Sequence, residues 1–190
     1  MKNIAIFASG TGSNAKKIVE YFEGHTQIRV RLIVSNKATA PVLDMARRHG
    51  IDTLLIDRQR FYETKSFLTE LQRYSIDFIV LAGFLWLIPA YLVKAYQGRM
   101  VNIHPALLPK HGGKGMYGMN VHRAVKAANE KQSGITIHLV NEKYDDGSIL
   151  FQATCPLSEE DTPEQIAKKV LKLEHQHFAP VIEKQILGNT

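Results

Sequence analysis

The chain has 190 residues, of which 45% are hydrophobic and 22% charged. These are ordinary globular values, so they exclude intrinsic disorder, and the length suits one domain that buries roughly 70% of the surface its unfolded form exposes. The net charge of +6 comes from scattered Lys and Arg without a dense basic block, which favours a small phosphate-bearing partner over nucleic acid.

The first predicted unit is a strand, a glycine-rich turn and a helix. An apolar run, Asn3 to Ala8, precedes the turn, and residues 15–22 carry apolar side chains at helical spacing. Unpaired N–H groups and the helix dipole favour an anion at such a helix start. The dinucleotide and ATP-loop patterns are both incomplete, and a glycine turn also occurs purely for its positive φ. As a functional site, the turn would bind a monophosphate through Gly10, Thr11, Gly12, Ser13 and Asn14.

Alternating strands and helices continue through the first half of the chain. This alternation predicts an α/β fold with a parallel sheet and right-handed crossovers. Predicted core side chains of the last helix in this series are Phe61, Leu68 and Leu71. The predicted strands are 28–34, 53–56 and 77–82, and the predicted helices are 41–49 and 61–74.

An unusually apolar loop follows the strand at 77–82. It either packs down on the core or forms a slot in which backbone N–H and C=O groups meet the edge of a flat heterocycle. The walls of that slot would be Phe84, Leu85, Trp86, Leu87 and Ile88.

The next strand, in the run from Met100 to Pro109, ends in two polar side chains. Period-2 alternation places Asn102 and His104 on the same face, and Pro105 ends the strand. An imidazole and an amide at a strand end can form a reaction centre, although an isolated pair is more commonly a buried histidine and a turn cap.

Two loops flank the remaining strands. Residues 110–118 contain four glycines, so they predict a loop that either closes as a lid or is simply flexible; a helix is predicted at 120–129. The acidic turn 144–147 joins two predicted strands, 134–140 and 148–154. A carboxylate from this turn beside His104 would favour the charged imidazole, since opposite charges stabilise each other.

The last predicted element is a helix that begins at Thr162 and Pro163 and ends near Leu187. The residues alone make Glu174 a solvated surface charge. The single cysteine, Cys155, excludes an internal disulfide, and nothing suggests a signal peptide or a membrane span, so we expect a cytoplasmic protein. The predicted buried side comprises Ile166, Val170, Leu173, His177, Val181 and Ile186.

The run from Asn102 to Pro109, Asn-Ile-His-Pro-Ala-Leu-Leu-Pro, and the segment from Gly134 to Gly147 resemble the folate-dependent formyltransferases. The resemblance covers nearly the whole chain and departs at Ala106, where the family usually has Ser. It implies a Rossmann-like formyltransferase fold with a mostly parallel, twisted sheet of about seven strands and helices on both faces. One domain, 1–190, would comprise a nucleotide-phosphate-binding half, 1–100, and a catalytic and folate-binding half, 101–190.

The resemblance implies transfer of the formyl group of 10-formyltetrahydrofolate, a cosubstrate, to the amino group of 5′-phosphoribosylglycinamide in purine synthesis, without metal or ATP. It implies that Asn102 and protonated His104 stabilise the oxyanion and that Asp145, rather than Asp146, keeps the imidazole charged. Glu174 would bind the ribose hydroxyls. Some members carry Arg in place of Trp86, so the glutamate tail of the folate would be held differently here. The implied folate-binding residues are Phe84, Leu85, Trp86, Leu87, Ile88, Asn102, His138, Val140 and Asp145.

The expected partners are these two small molecules, with no nucleic acid or membrane, and the expected state is a monomer or weak homodimer. Related alternatives are methionyl-tRNA formyltransferase, formyltetrahydrofolate hydrolase and sugar-nucleotide formyltransferase, which generally need extra domains or a different first loop. A non-catalytic nucleotide- or nucleic-acid-binding module would use the phosphate turn without needing Asn102, His104 and Asp145 to converge.

Overall fold

The computed structural model describes residues 1–63 and 65–188, so the predicted domain range 1–190 includes residues 64, 189 and 190, which lie outside the described residues. Seven strands in the described part form a sheet of order β3-β2-β1-β4-β5-β6-β7. Neighbouring strands are parallel from β3 to β5, and β6 and β7 are antiparallel, which confirms the predicted mostly parallel sheet. The strands are β1 (Lys2–Phe7), β2 (Ile28–Ser35), β3 (Asp52–Leu55), β4 (Phe78–Leu81), β5 (Met100–His104), β6 (Gln132–Leu139) and β7 (Ile149–Pro156).

Helices cover both faces of this sheet, as predicted. Alternating side chains of β1 supply the two cores: Ile4 and Ile6 pack with α1, α2, α6 and α7, whereas Ala5 and Phe7 pack with α3, α4 and α5. All four side chains are fully buried, so β1 is the centre of the packing. The helices are α1 (Ser13–Phe22), α2 (Pro41–Arg48), α3 (Arg58–Tyr62), α4 (Ser66–Arg73), α5 (Ala90–Ala95), α6 (Met119–Ala127) and α7 (Pro163–Leu187).

The prediction of a single helix over 61–74 is wrong, because the described part of this range contains the end of α3 and then α4. A continuous helix would place Phe61 and Phe67 about 120° apart around its axis. Both side chains are nevertheless fully buried, and their ring centroids are 5.5 Å apart. Two helices allow both rings into one core, where Phe67 takes the fully buried position predicted for Leu68.

Helix α7 begins and ends as predicted, but its buried face is different. Thr162 and Gln165 form a reciprocal capping box. The fully buried row follows a four-residue spacing from Ile166 through Glu174 to Ile182, whereas the predicted core residues Leu173, His177, Val181 and Ile186 are only partly buried. Although α7 has 25 residues, neither it nor another helix of the described ranges is apolar enough to span a membrane.

The segment that follows His104 is held by a buried hydroxyl from β6. Thr136 donates through Oγ1 to the carbonyl of Ala106 (2.7 Å) and accepts from the N–H of Leu108 (3.0 Å) and from Gln152 (2.9 Å). Ala106 itself is fully buried, so a methyl group is accommodated where the family usually has Ser.

We expect Thr136→Val to lower the free energy of unfolding by roughly 1–3 kcal/mol, because it keeps the shape of the side chain and leaves buried polar groups without a partner. Urea denaturation monitored by circular dichroism measures the change. Thr136→Ser, which keeps the hydroxyl, is the control and should lose less. A valine variant as stable as the wild type would show that this network does not hold the segment.

Candidate active site

A cavity of about 850 Å³ lies at the carboxyl ends of β1, β4 and β5, where ligands bind in open α/β sheets. Its volume is within the range of small-molecule sites, about 300–1,000 Å³. Both halves of the chain line it, and every residue predicted for a site contributes. These residues are Gly10, Thr11, Gly12, Ser13, Asn14, Phe84, Leu85, Trp86, Leu87, Ile88, Asn102, His104, His138, Val140, Asp145 and Glu174.

Asn102, His104 and Asp145 meet at this cavity. Asp145 Oδ2 lies 3.4 Å from His104 Nδ1, and Asp145 Oδ1 lies 3.5 Å from Asn102 Nδ2. The neighbouring Asp146 is exposed and faces Asn141 and Lys143 instead. The structure therefore brings together the three side chains that the sequence predicted and distinguishes Asp145 from Asp146.

The backbone of the acidic turn fits tightly against β6. Asp145 has a φ of +53°, a left-handed conformation that aspartate tolerates better than most residues. A Cβ at Gly147 would overlap the carbonyl of Leu139, so only glycine fits there. The turn is thereby held close to the end of β6, with the Asp145 carboxylate directed at His104.

The carboxylate of Asp145 is ionised at neutral pH. Burial acts to raise its pKa, but the imidazoles of His138 and His104 and the N–H of Gly113 (2.9 Å from Oδ2) outweigh burial, and the pKa lies below its ordinary value. Gly113 belongs to the glycine-rich segment 110–118, so this segment is attached directly to the centre of the site.

Burial lowers the pKa of His104, although Asp145 and the carbonyl of His111 act in the opposite direction, and this favours the uncharged ring at neutral pH. The cationic imidazole that the resemblance implies stays a prediction for the reacting complex. Nε2 lies 2.8 Å from the carbonyl oxygen of His111, and Nδ1 is 3.4 Å from Asp145. Since the neutral ring carries one N–H, the shorter contact assigns it to Nε2. Nδ1 is then the atom that takes up a proton, beside an ionised carboxylate.

His138 orients the amide of Asn102. The two residues are opposite each other in the β5–β6 ladder. His138 Nδ1 donates to the carbonyl of Leu139 (2.8 Å), and Nε2 lies 3.2 Å from Asn102 Nδ2, which donates to it. Asn102 therefore directs its amino group, not its carbonyl, towards His138 and Asp145.

The opposite end of the cavity is formed by the glycine-rich turn and α7. Gly12 precedes α1 with a φ of +75°, and no side chain of the described residues caps this helix start. Asn14 donates to Glu174 (2.7 Å), while Asn14 Oδ1 is buried and has no partner among the described residues. Burial raises the pKa of Glu174, and the hydrogen bond from Asn14 partly offsets this. Glu174 is 9% exposed, so the prediction of a solvated surface charge, made from the residues alone, is wrong. Glu174 instead lines the cavity beside Asn14, the position that the resemblance implies.

The apolar wall from Phe84 to Ile88 borders the cavity but is also part of the core. Phe84 packs edge-on against Phe7, and the ring of Trp86 lies 5.7 Å from that of Phe61. The guanidinium of Arg58 is 5.5 Å from the Trp86 ring. The sequence left two alternatives for this loop, packing on the core or lining a slot. In the structure the loop does both.

Ser9 and His122 are polar residues at the site that the sequence analysis did not predict. Ser9, 3% exposed, donates to Asn36 and accepts from the N–H of Leu85, joining the glycine-rich turn to the apolar wall. His122 lines the cavity, and its buried Nδ1 has no partner in the described part of the chain. Burial, assisted by His104, lowers the pKa of His122. For these two residues the sequence contains one usable signal, which is that Ser9 stands directly before the glycine-rich turn.

Known proteins show the same architecture. The family model described as formyl transferase matches residues 2–182. Two proteins named phosphoribosylglycinamide formyltransferase are similar in sequence: that of Bacillus subtilis is 36% identical, covering 99% of this chain and 96% of that protein, and the chloroplastic one of Arabidopsis thaliana is 43% identical, covering 95% and 64%. The chain thus spans less than two thirds of the plant relative's length.

A solved structure agrees along almost the whole chain. The crystal structure of phosphoribosylglycinamide formyltransferase from Bacillus halodurans has a TM-score of 0.87 to this chain at 35% identity, covering 97% of this chain and 95% of that one. The family match, the sequence relatives and the shared fold lead to one conclusion. The chain belongs to the formyl transferase family.

Proposed function

We propose that this chain transfers the formyl group of 10-formyltetrahydrofolate to the amino group of 5′-phosphoribosylglycinamide, a step of purine synthesis. The observation that carries the proposal is the convergence of Asn102, His104 and Asp145 at the middle of one cavity. The uncapped helix start lies in the same cavity as the apolar wall, so two different ligands can meet at these three side chains. The names of the similar proteins support the same reaction.

The formyl donor is a substrate of this reaction rather than a resident cofactor, and the lining of the cavity suits it. The wall from Phe84 to Ile88 is apolar and aromatic, as a flat heterocycle requires. Val140, the residue that follows β6, also lines the cavity. At the other end, Gly10 to Asn14 supply backbone N–H groups for a phosphate. Glu174 is a buried carboxylate with spare acceptor capacity, which suits the two hydroxyls of a ribose.

In the proposed mechanism, Asn102 donates an amide hydrogen to the formyl oxygen as negative charge builds on it, a contribution typically worth about 10²–10³ in rate. The amine attacks the formyl carbon, and its surplus proton passes to His104 Nδ1, where ionised Asp145 stabilises the new cation. The same proton then goes to N10 of the folate as the bond from carbon to N10 breaks. One C–N bond forms, one breaks, and the proton that left the attacking amine ends on the leaving nitrogen.

The Asn14–Glu174 pair favours a ribonucleotide acceptor over the other activities considered from the sequence. Water, as acceptor in a hydrolase, would need neither a phosphate turn nor a buried carboxylate. The absence of a nucleic-acid partner, the monomeric or weakly dimeric state and the cytoplasmic location stay predictions.

Replacing His104 by Ala should lower the rate of formyl transfer by about 10²–10⁴, because the proton acceptor is lost. Ribonucleotide affinity should stay within about twofold, since the phosphate turn and Glu174 are untouched. Consumption of 10-formyltetrahydrofolate that depends on added ribonucleotide measures the rate, and calorimetric titration measures the affinity. A variant that retains most of its turnover would exclude His104 from the reaction.

Replacing Asn14 or Glu174 by Ala should weaken ribonucleotide binding about tenfold or more, because each removes hydrogen bonds to a polar ligand in a buried site. Calorimetric titration with 5′-phosphoribosylglycinamide gives the dissociation constants. Glu164→Ala, an exposed glutamate of the same helix, is the matched control and should bind normally. Equal affinities for all variants would show that the ribonucleotide does not occupy this end of the cavity.

The pH dependence of kcat/KM should show an acidic limb with a midpoint below the ordinary histidine value of 6.5. Burial lowers the pKa of His104, so the free enzyme holds the neutral ring above that midpoint and loses its proton acceptor below it. Activity is therefore expected to rise from pH 5 to pH 7. An activity that falls over this interval would instead require the protonated imidazole in the free enzyme.

A further inference from the structure

The carbonyl that fixes the proton of His104 comes from a residue in an uncommon conformation. His111 has a φ of +54°, in the left-handed region that residues with a side chain seldom adopt. Its carbonyl oxygen nevertheless lies 2.8 Å from His104 Nε2. Because such a conformation persists only when surrounding contacts hold it, the side-chain contacts of the segment decide where this carbonyl lies.

Glu130 supplies those contacts. One carboxylate oxygen, Oε1, accepts from His111 Nε2 (3.2 Å) and from Lys110 Nζ (3.0 Å), and Oε2 is 3.3 Å from the same ammonium. Glu130 follows α6, so it ties the segment to the end of a packed helix. Its hydrogen bonds from Lys110 and His111 keep the pKa of the Glu130 carboxyl below its ordinary value, and it is ionised at neutral pH.

The position of the His111 carbonyl matters because the two nitrogens of His104 face competing acceptors. Asp145 is 3.4 Å from Nδ1 and would take the N–H there if the His111 carbonyl withdrew from Nε2. Nε2 of His104 would then carry the lone pair and face the glycine-rich segment 110–118, and Nδ1 would carry the N–H and face the Asp145 carboxylate. In that tautomer Nδ1 could not accept the proton of the attacking amine.

We propose that Glu130 and His111 are positioning residues for the formyl transfer: the Glu130 carboxylate holds the Lys110–His111 segment so that the His111 carbonyl keeps the N–H of His104 on Nε2 and leaves Nδ1 free beside Asp145. The role in catalysis rests on the proposed function. Neither residue touches the reacting atoms, because Glu130 reaches the site only through the ring and carbonyl of His111.

The test compares Glu130→Gln with Glu159→Gln. Both remove one negative charge from a glutamate paired with lysine, but Glu159 pairs with Lys131 on the surface instead of with Lys110 and His111. Steady-state kinetics separate kcat from KM, and nitrogen NMR of histidine-labelled protein distinguishes the two ring tautomers of His104. Assignment of the His104 signals uses the His104→Ala variant.

In Glu130→Gln we expect His104 to move from the Nε2–H tautomer to a mixture, and kcat to fall about twofold to tenfold, the range that loss of one hydrogen bond provides. KM for both substrates should stay within about twofold, and Glu159→Gln should match the wild type. A Glu130→Gln protein with the wild-type tautomer and kcat would overturn the proposal.

If Glu130→Gln does not fold, two substitutions of His111 test the same positioning role. His111→Gln keeps a donor for the carboxylate and should preserve the Nε2–H tautomer, whereas His111→Phe removes the donor and should lose it. Identical tautomers in the two variants would refute the positioning role of Glu130 and His111. A wild-type protein that consumes no formyl donor would refute the proposed function, while the nitrogen shifts of His104 would still test this positioning role.

Discussion

The antiparallel pairing of β5 with β6 is the constraint on which the site depends. Its register places Asn102 opposite His138 and His104 opposite Thr136. Because residues two apart on a strand share a face, all four side chains project towards the same side of the sheet. One register thus supplies the amide, the residue that orients it, the imidazole and the hydroxyl that holds the following segment. A slip of one residue would turn all four to the opposite face.

Burial gives this cluster of polar groups its electrostatic character. An ionised Asp145 is surrounded by N–H groups and imidazoles, whereas burial lowers the pKa values of both His104 and His122. The centre therefore carries a negative charge and an unprotonated nitrogen side by side. A proton that arrives at His104 Nδ1 would create a cation 3.4 Å from the Asp145 carboxylate, and the opposite charges would stabilise each other. The site is consequently suited to receiving a proton from an amine and releasing it to another nitrogen.

Local patterns predicted most of the fold and part of the site. Alternating strands and helices indicated the parallel sheet, and the period of a strand placed Asn102 and His104 on one face. What could not be predicted depends on contacts between distant segments. Glu174 lies on a helix whose apolar residues suggest more than one buried face, and only its contact with Asn14, on α1, shows which face is inside. The lowered pKa of His104 likewise follows from burial, which no local pattern specifies.

The distance between the two ends of the cavity is set by rigid elements. Ser9 lies two residues after the end of β1, and its hydroxyl accepts from the N–H of Leu85 in the apolar wall while its neighbour Gly10 begins the glycine-rich turn. Its backbone N–H also donates to the carbonyl of Gly83 (3.1 Å). The start of the turn and the start of the wall are therefore joined at a single point at the end of the central strand. Two ligands bound at these ends would be held at a fixed separation without help from the glycine-rich segment 110–118, and a fixed separation is what makes the encounter of an amine with a carbonyl carbon efficient.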